Sequence, residues 1–232
     1  MLVNADFSRP AIVTPGQYRW VASPQNGVER MMLDRVGEEQ AQATSIVRYA
    51  PSSGFPRHQH PGGEEILVLS GTFSDDAGHY PEGWYLRNPP RSSHQPFSVE
   101  GAIIFVKLRQ MAPDDEHRVR IDTNDPSGWR LREGRSIFPL FSSPTEQVRL
   151  ERVAPNDPPF SGKVDGAELL VLAGELRSGS RSCPRGSWIR LPAGEYPGWG
   201  AGPGGAVVYF KTGLFAHPAA EGLRARSMET QS

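Results

Sequence analysis

Short apolar runs separated by polar or turn-forming residues recur along the chain. Ser45 to Tyr49, Ile66 to Leu69 and Ala102 to Leu108 are rich in β-branched and aromatic residues and bounded by Gly, Pro or Ser, the pattern of strands. Helical periodicity is confined to Asp34 to Ala43 and to the tail after Pro218. Many short strands without crossover helices predict a sandwich or barrel. The 25 glycines and 22 prolines are scattered and read as turns between those strands.

The pattern repeats. Gly62 to Gly71 (GGEEILVLSG) resembles Asp165 to Gly174 (DGAELLVLAG), an offset of 103 positions. The same offset places Pro81 on Pro184, Gly83 on Gly186, Arg87 on Arg190 and Pro89 on Pro192. One position later in register, Ile103 to Lys107 meets Val207 to Lys211, and upstream Tyr49-Ala50-Pro51 meets Val153-Ala154-Pro155. An ordered series at nearly constant offset is a duplicated domain, because a repeat of about a hundred residues is too long for a solenoid unit. The expected division is residues 1–118 and 119–232, joined through the exposed stretches Ala112 to His117 and Asn124 to Gly128. The residues after Arg224 are polar and read as a frayed end.

Composition narrows the setting. The 232 residues suffice for two small cores, and a formal net charge of −1 gives no basic surface for nucleic acid. Cys183 is the only cysteine, so no internal disulfide can form. No apolar run approaches the length of a membrane span, and the N-terminus lacks the features of a signal peptide. The expectation is a cytoplasmic protein with no nucleic-acid or membrane partner.

Candidate chemistry concentrates in the first copy, in Gly54 to Glu64 (GFPRHQHPGGE). Residues two apart on a strand share a face, so His58 and His60 project together. Pro61-Gly62-Gly63 then turns the chain and brings Glu64 toward the imidazoles. Ile66 and Val68 continue on the inner face as apolar lining of a pocket. His94, after Asn88-Pro89-Pro90-Arg91, is a fourth candidate ligand. Imidazoles with a carboxylate suit zinc, iron, manganese, nickel or copper, whereas calcium takes oxygen donors.

The run from Gly54 to Gly71 resembles the first cupin motif: two histidines one residue apart, then a glutamate, then a glycine. Asn88 to His94 resembles the second, with Arg91 where glycine is usual and Phe97-Ser98 where an asparagine is expected. The His-x-His-x-Gly-Gly-Glu-Glu run and Tyr85 to Pro89 are more narrowly similar to the cupin module of ChrR-type anti-sigma factors, over roughly residues 15 to 110. The resemblance implies an all-β fold of two tandem jelly-roll (double-stranded β-helix) cupin barrels. It also implies one divalent metal ion per chain, zinc or iron first and manganese or nickel next, held by His58, His60, Glu64 and His94.

The second copy helps assign the carboxylate. Its counterparts of the four candidates are Ser161, Lys163, Ala167 and Pro197, so all four ligands are missing together. Glu168, the counterpart of Glu65, is kept. A residue kept where no metal site remains reads as structural, which points to Glu64 as the ligand. Arg87 and Arg190 are both kept as well, predicting a Glu65–Arg87 ion pair mirrored by Glu168–Arg190. Lys107 and Lys211 recur and read as structural; Trp84, Trp188 and Trp199 read as core or interface aromatics. His79, His117, His217 and the basic stretch Arg130 to Arg135 read as solvated, and Cys183 as an ordinary turn residue.

Two functional classes fit such a site. One is a regulatory module that binds or senses a small molecule at the metal; sigma-factor binding is not expected of it, because the helical zinc domain of the resembled family does not precede the barrel here. The other is a metal-dependent dioxygenase acting on a small diketone or hydroxyketone. A copy without ligands can replace a partner subunit or form the interface of a homodimer, and the sequence leaves both open.

Overall fold

The computed structural model describes residues 1–38 and 40–213. It is almost entirely β, with two single-turn 3₁₀ segments, Pro15–Gln17 and Pro126–Gly128. Asp34 to Ala43 is not helical. Asp34 lies within the strand Val28–Val36 and Ala43 within Gln42–Tyr49; the two form a hairpin whose bulge between Met32 and Asp34 interrupts the two-residue alternation and imitates a longer period. The tail after Pro218, including His217 before it, lies outside the described residues.

Two large antiparallel sheets follow one plan. The first runs Leu2–Val3, Val28–Val36, Gln42–Tyr49, Ala102–Leu108, Glu64–Asp75, Trp84–Asn88, Val119–Asp122. The second runs Arg130–Arg132, Arg135–Ser142, Glu146–Val153, Trp199–Gly213, Ala167–Ser178, Trp188–Leu191, Ala11–Val13. Each ends on a strand taken from the other half: Val119 faces Arg87, and Ala11 faces Arg190. Short strands close the first barrel over its large sheet; Ser92–His94 pairs with His58–His60, and Phe97–Ser98 pairs with Ser53–Gly54. The duplication extends to backbone detail. Gly71 and Gly174 have φ of +68° and +67°, and a Cβ on either would lie 2.1 Å from a carbonyl oxygen, that of Gly101 or Gly205. Only glycine fits there.

Alternation along these strands builds three apolar cores. One fills the first barrel with Val28, Val47, Tyr49, Ile66, Val68, Phe73 and their neighbours. One fills the second with Leu169, Val171, Leu176, Cys183, Trp199, Phe210 and others. The third lies between the halves and joins Met31, Leu67, Tyr85 and Phe105 to Phe138, Leu150, Leu170, Trp188 and Tyr209. Cys183 is therefore a core residue on the strand Arg181–Pro184, fully buried rather than in an exposed turn. Its neighbours Arg181, Ser182 and Pro184 are exposed, so the surrounding polarity conceals the one inward position.

Charges are buried between the halves. Lys107 pairs with Glu168, and Lys211 pairs with Glu65 at 2.8 Å and Glu146 at 2.5 Å. Each conserved-in-repeat lysine thus meets the glutamate of the opposite copy, the structural role its recurrence suggested. Arg87 pairs with Glu65 as expected, at 3.3 Å, and also with Glu146 and Asp115. The mirrored Glu168–Arg190 pair is not formed. Arg190 meets Asp34 at 3.1 Å, while Glu168 accepts from Lys107 and from Trp188 Nε1; the side chain opposite each arginine across the interface differs, so the symmetry breaks there. Arg130 to Arg132 is exposed as expected, but Arg135 bonds the buried Glu151 at 2.6 Å.

Candidate metal centre

The strand His58–His60 puts both imidazoles on one face, and its antiparallel partner sets His94 directly across from His58. The turn after His60 closes with Gly63 N–H donating to the His60 carbonyl at 3.1 Å, and Glu64 opens the next strand. One ligand nitrogen from each of His58, His60 and His94 lies within 4.8 Å of the others, a cluster that could hold a metal ion. His60 Nε2 and His94 Nε2 are 3.0 Å apart. Glu64 Oε2 approaches the same two nitrogens, at 3.5 and 3.4 Å. His60, Glu64 and His94 are buried, and His58 is partly exposed, so solvent reaches the cluster from the His58 side.

The imidazoles are aimed by what their other nitrogens touch. His58 Nδ1 lies 2.9 Å from the Pro56 carbonyl. A carbonyl only accepts, so the proton sits on Nδ1 and Nε2 keeps its lone pair. His94 Nδ1 lies 3.1 Å from Asp75 Oδ2, the carboxylate–histidine arrangement that fixes a metal-binding tautomer. Burial raises the Asp75 carboxyl, but the bond to His94, the Ala77 N–H and Arg120 outweigh it and hold Asp75 below the usual carboxylate range. Burial pushes His60 down; it pushes His94 down too, but there the Asp75 bond and Glu64 prevail and the net direction is up.

Sequence reasoning missed this outer layer. Asn88 Nδ2 donates to Glu64 Oε2 at 3.0 Å, and Arg120 donates to Asn88 Oδ1 at 2.6 Å. Arg120 Nε also donates to the Tyr80 hydroxyl at 3.2 Å, and Tyr80 to Asp75 at 3.4 Å. Arg120 comes from Val119–Asp122, the strand that follows the connection between the copies, and it steadies both the Glu64 arm and the His94 arm. The repeat held the signal: Asp75 is matched by Ser178 and Asn88 by Leu191, so these supports vanish with the ligands they serve.

The remaining predicted positions fall as follows. Ile66 and Val68 are buried in the first-barrel core. In the second half Ser161 and Lys163 are exposed and Ala167 is buried among apolar side chains. His79 is exposed, with a ring nitrogen 2.9 Å from Ser74 Oγ, and His117 is exposed beside Asp115. Arg91 has φ of +69°, the left-handed region, which explains why glycine is usual at this turn. Its N–H donates to the His60 carbonyl at 2.8 Å, so the turn keeps its shape without glycine.

The first half of the chain matches a known domain family. The model of the ChrR cupin-like domain matches residues 8–112, a span that holds all three histidines. The first half of the chain carries a ChrR-like cupin module. A proposed dioxygenase from Nostoc punctiforme superposes with a TM-score of 0.72 at 14% identity, covering 91% of this chain and 85% of that one. The glyoxylate-induced protein of Pseudomonas aeruginosa gives 0.66 at 16% identity, with 90% of each chain covered. An Escherichia coli pirin in complex with nickel(II) gives 0.60 at 10% identity, over 88% of this chain and 99% of the pirin. Identities this low carry the cupin fold and nothing more. No match was found among curated protein sequences. No helix among the described residues is long and apolar enough to cross a membrane.

Proposed function

We propose that this chain holds one divalent metal ion in its first barrel, on His58, His60, His94 and Glu64, and binds or senses a small molecule there. The observation that carries this is the converging cluster itself: three imidazoles within 4.8 Å, two with their Nδ1 anchored away from the centre. Glu64 is the natural fourth ligand, because Oε2 already lies 3.4–3.5 Å from two of the nitrogens and Asn88 holds it there. Four protein donors leave one or two positions for an exogenous oxygen. Zinc and iron suit the donors best, with manganese and nickel next. The lone thiol, buried in the second core, supports a reducing, cytoplasmic setting.

When bound, the metal would supply Lewis acidity or redox chemistry. The chain's own part is to orient the imidazoles through Pro56 and Asp75, and to line the site with the apolar wall of Ile66 and Val68. A second reading, a metal-dependent dioxygenase for a small diketone or hydroxyketone, rests on the same donor set, which would leave open positions for dioxygen and a chelating substrate if the metal is iron. Elemental analysis of protein purified without added metal, beside His94→Ala, tests the first step. About one zinc or iron per chain, lost in the variant, is expected. Iron together with oxygen uptake on a diketone would move the assignment to the dioxygenase; absence of any metal after reconstitution would remove both readings.

A further inference from the structure

The strand Val28–Val36 alternates between two cores. Met31 and Leu33 face the core between the halves, while Val28 faces the interior of the first barrel. Arg30 shares the face of Val28 and stands across from Val47, itself in that interior core. Its guanidinium carbon is 5.6 Å from the centre of the Phe55 ring. That ring is 5.9 Å from the Tyr49 ring and 5.9 Å from the His58 ring. Phe55 therefore lies against both Arg30 and a member of the histidine cluster. Arg30 is only partly exposed, and among the described residues no carboxylate lies within pairing distance of it. A partly desolvated charge without a counter-ion is costly, and burial does lower the Arg30 pKa.

The second half shows the alternative. There Glu151 faces Val208, as Val47 faces Ile104 in the first half; the two positions are equivalents in the repeat. Glu151 is fully buried and takes Arg135 at 2.6 Å and Arg149 at 2.8 Å. One barrel neutralises its inward arginines with a carboxylate of its own. The other has a valine at that place and an arginine left unpaired.

We propose that Arg30 receives the carboxylate of a small acid bound in the first barrel, with a second oxygen of the same molecule turned toward the histidine cluster. The proposal rests on the metal-site reading and adds the ligand class to it. A guanidinium fork matches a carboxylate with two parallel hydrogen bonds. One unpaired cation balances one negative charge, which favours a monocarboxylate over a phosphate dianion, and Val28, Val47 and Phe55 offer apolar walls for a carbon skeleton.

The test is calorimetric titration of the zinc-loaded protein with glycolate and with 2-hydroxybutyrate, each beside its uncharged amide, with zinc content measured on every preparation. Both acids should bind more tightly than their amides. Arg30→Met should weaken the acids by roughly 10- to 100-fold and leave the amides unchanged; Arg30→Lys should fall between. Val47→Glu, which installs the carboxylate that the second barrel has, should abolish the preference for acids while Arg30 remains. Equal binding of acid and amide, or acid binding untouched by Arg30→Met, overturns the proposal even with zinc at one per chain. Tighter binding of inorganic phosphate than of either acid overturns the ligand class. Failure to load zinc strikes the metal-site reading instead, and the same Arg30→Met comparison on the unloaded protein then decides the carboxylate subsite separately.

Discussion

At the scale of single residues, the outer supports of the histidine cluster make the sharpest claims. Arg120 touches none of the candidate ligands, yet it holds Asn88 against Glu64 and stands behind Tyr80 and Asp75. Replacing such supports costs 10- to 100-fold in metal affinity in other sites. Arg120→Ala and Asp75→Asn are accordingly expected to weaken zinc binding by about that factor in chelator competition, with secondary structure by circular dichroism unchanged; affinity within twofold of wild type would show the cluster to be self-supporting. Arg91 gives a second prediction. A non-glycine residue in the left-handed region costs roughly 1–2 kcal/mol, partly offset by the extra freedom glycine has when unfolded. Arg91→Gly should therefore raise stability by up to about 1 kcal/mol in urea unfolding. The three histidines were legible because they sit in two short motifs. Asp75, Tyr80 and Arg120 were not, because they approach the cluster from three separate strands and carry no local pattern; only the comparison of Asp75 with Ser178 in the other copy marks one of them.

At the scale of elements, strand content and repeat order could be read from alternation, whereas partner choice across the interface could not. Glu65 is the cross-strand neighbour of both Arg87 and Lys107, and Glu168 of both Arg190 and Lys211. Such register makes pairing within each copy the natural expectation. The sheets face each other closely enough that the lysines reach across instead, Lys107 to Glu168 and Lys211 to Glu65. Removing one member of a buried pair leaves the other charge uncompensated and costs about 3–5 kcal/mol, while an apolar replacement of both can be neutral. Lys107→Met is expected to destabilise by that amount in urea unfolding, and Lys107→Met with Glu168→Met to recover most of it. A double variant no better than the single one would mean that Thr44 and Trp188, the remaining polar neighbours, need the ion pair to satisfy them.

At the scale of the whole molecule, the exchanged strands and the buried charges bind the two barrels into one unit, and acid titration should report on that unit. Burial drives the Glu65 carboxyl up, but Lys211, Arg87 and Lys107 overcome it and hold it at about 2, against 4.5 in the unfolded chain. Its contribution is fully present above about pH 4.5 and is lost as the pH falls toward 2, because the unfolded chain takes up a proton that the folded one refuses. Asp34 works in the opposite sense. Burial outweighs Lys107 and Arg190 and raises it to about 6 from 3.8. The folded state then keeps a proton that the unfolded chain releases, so this contribution is present below about pH 3.8 and is lost as the pH rises through 6. Urea midpoints measured between pH 3 and 7 should fall on the acid side less steeply in Glu65→Gln than in the wild type. In Asp34→Asn the decline between about pH 4 and pH 6 should flatten. Each variant lowers stability overall by removing a buried partner, so the slope against pH, and not the midpoint at one pH, carries the comparison. Slopes parallel to the wild type in both variants would mean that neighbouring groups absorb the protons, and that no single carboxylate controls how the two barrels come apart in acid.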